Sequence, residues 1–171
     1  MAGYLSIQTS LETMKSSYNI INTNLKNAKI LIVEDNDDQW VLIEQAMHQC
    51  MSEITAQRVS TIEQALTLLE GWHYQEWEIP KLILLDLYLP NNADGLQLLS
   101  QIRAMSAPVS KVPIIMLTSS DDHTDIEKAY ELGISAYMVK PIEFADWLTC
   151  FCELRTYWLE TVTLLPVQYR F

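Results

Sequence analysis

Four short apolar runs constrain this chain more than any other feature. They are Ile30-Leu31-Ile32-Val33, Lys81-Leu82-Ile83-Leu84-Leu85, Ile114-Ile115-Met116-Leu117 and Ala136-Tyr137-Met138-Val139. Each has the length of one buried strand and is too short for an ordinary helix. Each also ends on a residue that carries chemistry: Glu34-Asp35, Asp86, Thr118-Ser119 and Lys140-Pro141. In open parallel sheets, ligands sit at the carboxyl ends of the strands. Three acids, a hydroxyl and an amine are therefore expected at one sheet edge, a set suited to a phosphoryl group and a divalent cation.

Helical patterns separate these runs. Asp37 to Met51 places Trp40, Ile43, Met47 and Cys50 on one face, and a more polar strand, Glu53 to Val59, suits a sheet edge. Ser60 to Glu70 reads as a helix capped by Ser60 or Thr61 and ended by Gly71, followed by a long loop from Trp72 to Pro80. Further helices are expected over about 94–105, 122–132 (stopped by Gly133) and 143–159. Five β/α units in succession predict an α/β fold with a doubly wound, five-stranded parallel sheet and right-handed crossovers.

Composition excludes several function classes. A formal net charge of −11 argues against binding a nucleic-acid backbone, which needs a basic face. No apolar run approaches the roughly 20 residues of a membrane span, and Met1 to Tyr4 does not open a secretory signal, so a cytoplasmic protein is expected. Three cysteines in such a setting read as reduced thiols, and Cys150-x-Cys152 lacks the histidine partners of a zinc site.

Taken together, Ile32-Val33-Glu34-Asp35-Asn36, Leu84-Leu85-Asp86-Leu87-Tyr88-Leu89-Pro90, Leu117-Thr118-Ser119 and Tyr137-Met138-Val139-Lys140-Pro141 resemble the receiver domain of two-component response regulators. Any one motif alone is weak, but four in order are specific. The resemblance implies a flavodoxin-like receiver with strand order 2-1-3-4-5. It implies Asp86 as phosphoacceptor and Mg2+ held by Asp35, Asp86 and the Tyr88 backbone carbonyl, with Glu34 acting through water. Thr118 and Lys140 would take the phosphoryl oxygens, Thr118 and Tyr137 would form the switch, and Lys140-Pro141 would be cis. Tyr88 and Ser120 occupy positions that tune autodephosphorylation, and a bulky Tyr88 is expected to slow it. One residue more than usual, within Asn91-Asn92-Ala93, is expected to reshape the loop before Asp94-Gly95.

This frame divides the chain into an N-terminal extension (1–27), a receiver domain (28–159) and a C-terminal tail (160–171). In the extension, Leu11, Met14, Tyr18, Ile21 and Leu25 fit either a short amphipathic helix or a loosely ordered arm. The tail from Tyr157 to Pro166 resembles that of single-domain cyanobacterial regulators paired with phytochrome histidine kinases, which implies such a kinase as partner and a homodimer. Trp147, Phe151, Leu154 and Trp158 form one apolar stripe of the last helix, and Phe144, Leu148, Cys152 and Leu159 another. One is expected to cover the sheet, and Trp147, Phe151, Leu154, Trp158, Leu159 and Val162 are the candidate interface. Two rival functions stay open. An aspartyl-phosphate hydrolase of the haloacid dehalogenase type needs a second acid where Tyr88 stands, and an unphosphorylated scaffold would have no need of the acid, threonine and lysine set.

Overall fold

A computed structural model of the chain describes residues 24–72 and 78–164. The segments expected as the bulk of the N-terminal extension, the middle of the 72–80 loop and the end of the tail lie outside the described residues. Five parallel strands form one sheet in the order β2-β1-β3-β4-β5, as the resemblance implies. They are β1 (Lys29–Val33), β2 (Thr55–Val59), β3 (Leu82–Leu85), β4 (Ile114–Thr118) and β5 (Ala136–Val139). Five helices cover the sheet: α1 (Asp37–Cys50), α2 (Ile62–Trp72), α3 (Asn92–Ala104), α4 (His123–Glu131) and α5 (Phe144–Leu154).

Strand alternation divides the core in two. Ile30, Ile32, Leu82, Leu84, Ile115 and Leu117 pack with buried residues of α1 and α5. Leu31, Val33, Ile83, Leu85, Ile114 and Met116 pack with those of α2, α3 and α4. Every residue of β3 and β4 is buried, which explains why those runs are apolar throughout. β2 lies at the edge and is only partly covered, so it tolerates Thr55, Gln57 and Arg58.

Several local expectations shift for physical reasons. α2 does not stop at Gly71 but continues to Trp72, whose side chain is buried in the core. A helical glycine costs about 1 kcal/mol, whereas burying some 200 Å² of aromatic surface is worth about 5 kcal/mol, so packing decides. α3 starts at Asn92, not at Asp94, because the Asp94 carboxylate accepts from the Asn91 backbone N–H and closes the first turn early. The extra residue therefore enters the helix and does not lengthen the loop.

The last helix departs most. After Leu154 the backbone widens into a π-helical segment, Arg155–Thr161, in which Val162 N–H donates to the Tyr157 carbonyl and Thr161 Oγ1 to that of Thr156. Five-residue steps bring Leu159 beneath Leu154, and both are buried. Trp147, Phe151, Leu154 and Leu159 thus belong to the chain's own core, a correction to their place in the candidate interface. Trp158 and Val162 remain half-buried.

The start of the tail folds back in the same way. Leu164 is buried, and Asn24 Nδ2 donates to the carbonyls of Leu159 (3.2 Å) and Val162 (2.7 Å). The expectation of three reduced thiols is also corrected. α1 and α5 lie side by side, and Cys50 and Cys152, 102 positions apart, are joined by a disulfide. Cys150 is free, and burial pushes its thiol up to about 11.

Candidate functional site

Glu34, Asp86 and Lys140 are each the first residue past a strand, Thr118 is the last residue of β4, and a neighbouring strand pins the backbone of the first three. Glu34 N–H donates to the Val59 carbonyl, Asp86 N–H to that of Val33, and Lys140 N–H to that of Thr118, at 3.0, 3.0 and 2.8 Å. The parallel register, with Val33 opposite Leu85 and Thr118 opposite Val139, then places their side chains at one edge.

The pocket they form is buried and ionic. Glu34, Asp86, Thr118 and Lys140 are 1%, 7%, 0% and 8% exposed. Lys140 Nζ lies 2.6 Å from Glu34 Oε2 and 2.6 Å from Asp86 Oδ2. Oxygens of Glu34, Asp35 and Asp86 all lie within 4.8 Å of one another. Three carboxylates face one ammonium, so the pocket retains a deficit of positive charge even with the lysine in place. Burial holds the Glu34 carboxyl above its ordinary value despite Lys140, which pulls it down. An all-oxygen donor set with surplus negative charge fits a hard divalent cation that keeps some of its waters.

The remaining Asp86 oxygen, Oδ1, accepts from Tyr88 N–H at 3.2 Å, and Tyr88 itself is 37% exposed. Behind Asp86, the first turn of α3 presses on the acceptor turn. A Cβ at Gly95 would stand 2.4 Å from the Leu87 carbonyl oxygen and 2.5 Å from that of Asp86. Glycine at this position, inside the first turns of α3, is a requirement of close approach.

On the other side, hydrogen bonds lead from the hydroxyl residue into α4. Thr118 Oγ1 accepts from Ser120 N–H at 3.4 Å, Ser120 Oγ donates to Asp125 Oδ2 at 2.8 Å, and the Tyr137 hydroxyl donates to the Ser120 carbonyl at 3.1 Å. Thr118 and Tyr137, named separately from the sequence, thus meet at Ser120. Burial raises the pKa of the Tyr137 phenol. One implied detail is corrected. Among the described residues, cis peptide bonds precede Pro90 and Pro108 and not Pro141. Lys140 reaches both carboxylates from a trans bond, because its N–H already extends the β4–β5 ladder and its side chain spans the remaining gap.

Sequence reasoning missed two residues of this site. Asp125 stands in the first turn of α4 and is 7% exposed. Arg58 lies on edge strand β2. Its Nε donates to the Glu34 carbonyl (3.0 Å) and its Nη2 to the Asp35 carbonyl (3.2 Å). No local pattern marks either one, since each acquires its role from a partner distant in sequence or from burial.

A buried acid–lysine pocket at the strand ends of a 2-1-3-4-5 sheet defines a phosphoacceptor domain. The chain belongs to the response regulator receiver domain family, whose profile matches residues 30–150. It is 32% identical over 130 residues to the probable methanogenesis regulatory protein FilR2 of Methanothrix harundinacea, covering 76% of this chain and 83% of that protein. It is 30% identical over 146 residues to the response regulator Rcp1 of Synechocystis, covering 79% and 91%. Among solved structures, the phosphorylated cyanobacterial phytochrome response regulator RcpA superposes with a TM-score of 0.72 at 29% identity, over 81% of this chain and 98% of that one. The Mn(2+)-bound form of Rcp1 gives 0.69 at 29% identity, over 81% and 99%.

Proposed function

We propose that Asp86 accepts the phosphoryl group of a phosphohistidine, supplied by a histidine kinase of the phytochrome type, in a reaction that uses Mg2+. The observation that carries this reading is the convergence of Glu34, Asp35, Asp86 and Lys140 in one pocket, with buried Thr118 at the end of the adjacent strand β4. A carboxylate oxygen of Asp86 forms the new P–O bond as the P–N bond to the donor imidazole breaks. The donor histidine leaves neutral once a proton reaches its nitrogen. Mg2+, held by Asp35, Asp86 and the Tyr88 carbonyl with Glu34 acting through water, would offset the charge on the transferring oxygens. Lys140, now bound to Asp86, exchanges that partner for a phosphoryl oxygen, and Thr118 turns its hydroxyl toward another. Movement of Thr118 pulls on Ser120, and so on Tyr137 and α4, which gives the phosphorylated state a different surface.

The phytochrome assignment is supported by the description of RcpA as a cyanobacterial phytochrome response regulator, and the Mn(2+) in the Rcp1 structure supports a divalent metal at the acidic pocket. Output through a homodimer is supported by a shallow groove along Leu148, Cys152 and Tyr157, beside half-buried Trp158. No helix among the described residues is long and apolar enough to cross a membrane.

Acetyl phosphate with Mg2+, read on a phosphate-affinity gel, tests the reaction. A shifted band that disappears in Asp86→Asn is expected. Sustained release of inorganic phosphate would instead indicate the hydrolase, and an unmodified protein the scaffold.

A further inference from the structure

Glu34 and Asp35 sit in a short irregular segment between β1 and α1, where the Glu34 N–H still bonds the Val59 carbonyl but the carbonyls of Glu34 and Asp35 face no strand ladder. Arg58 crosses from the end of edge strand β2 and bonds the two successive carbonyls with one guanidinium. The guanidinium is itself held. Arg58 Nη2 lies 2.7 Å from Asp37 Oδ1, and its Cζ lies 5.6 Å from the centre of the Trp40 ring. The Arg58 side chain is 19% exposed, so little water competes for these bonds, whereas Asp37 reaches it from the surface at 89% exposure. The rigid fork of arginine suits two neighbouring acceptors in a way that a lysine ammonium does not. The anchored carbonyls belong to the two residues whose carboxylates line the acidic pocket.

We propose that Arg58 is the positioning residue of the metal pocket: by clamping the Glu34 and Asp35 carbonyls from behind, it fixes the main chain that aims both carboxylates at the cation. The inference rests on the reading of the pocket as a Mg2+ site. It assigns to Arg58 a role that the four strand-end motifs do not contain.

Charge alone predicts the opposite sign. Arg58 is a cation near a cation site, and removing it leaves Asp37 without its partner, so simple electrostatics would tighten metal binding in Arg58→Met. Positioning predicts weakening. Partners behind a metal's ligands typically contribute about 10–100-fold in metal affinity, and a loss of roughly tenfold is expected here.

The test titrates Mg2+ into the full chain by calorimetry for wild type, Arg58→Met and Arg58→Lys, with far-UV circular dichroism in EDTA as the folding control. Arg58→Met should bind Mg2+ about tenfold more weakly. Arg58→Lys, which keeps the charge but loses the fork, should also bind more weakly, and it carries the test if Arg58→Met folds poorly. Phosphorylation of either variant by acetyl phosphate should return to the wild-type rate at saturating Mg2+, a rescue that general loosening of the fold would not allow. Unchanged or tighter Mg2+ binding in Arg58→Met and Arg58→Lys beside a wild type that binds overturns the role of Arg58 alone. A wild type that binds no Mg2+ overturns the pocket reading and this inference together.

Discussion

Replacing Lys140 by methionine probes the pocket most directly, because it removes the one ammonium that faces two buried carboxylates. Glu34 and Asp86 are each 2.6 Å from its Nζ, with side chains only 2% and 8% exposed. Breaking a buried ion pair from one side costs about 3–5 kcal/mol, since the abandoned charge stays out of water. For a domain of this length each kcal/mol moves the midpoint by roughly 2–4 °C, so Lys140→Met should melt about 6–20 °C below wild type in EDTA. Protonation of Glu34 limits that cost. Its carboxyl is already held above the ordinary value of 4.5, so the favourable neutral form is fully present below pH 4.5 and is lost as pH rises through the folded value. The melting gap should therefore be wider at pH 8 than at pH 5. Adding Mg2+ should narrow it, because a bound cation replaces the missing charge, and ligand at 100 times its Kd stabilises by about 2.7 kcal/mol. Differential scanning fluorimetry with and without Mg2+ at both pH values measures all four cases. Equal melting of the two proteins in EDTA, or a gap that Mg2+ leaves untouched, would refute the reasoning.

Three other outcomes follow from particular contacts. Glycine to alanine inside a helix ordinarily gains about 1 kcal/mol, but Gly95→Ala would drive a methyl into the backbone oxygens of Asp86 and Leu87 and should instead lose about 1–3 kcal/mol in urea unfolding and slow phosphorylation; a gain in stability would show that the acceptor turn yields freely. The Cys50–Cys152 link closes a span of 102 residues, for which chain entropy gives about 4.7 kcal/mol as a ceiling, so Cys152→Ser should lower the urea midpoint and a reductant should bring wild type down to match it; a wild type indifferent to reductant would argue against the bond. Trp158→Glu should convert a dimer to a monomer by light scattering, since Trp158 is half-buried beside Tyr157 at the surface of the π-helical segment, and an unchanged mass would move the interface elsewhere.

The candidate pocket was largely legible in the sequence, for a local reason. A strand buried on both faces must be apolar throughout, and the residue that ends such a run stands at the carboxyl edge of a parallel sheet. Glu34, Asp86 and Thr118 could therefore be placed together without coordinates, and the polar character of Thr55–Val59 marked one sheet edge, whereas Lys140 follows β5, an apolar run that proves to be the partly covered opposite edge. Tertiary structure decided what depends on long-range packing. Trp72 carries α2 past Gly71 because the core has room for its ring. The π-helical widening after Leu154 exchanges Leu159 for Trp158 at the buried face, a change of register that a 3.6-residue period cannot foresee. The neighbouring of α1 and α5 joins Cys50 to Cys152, and the reach of Arg58 across to the acidic turn exists only once β2 has paired with β1. Periodicity records which way a side chain faces within its own element, whereas its partner across the fold is set by how the elements pack.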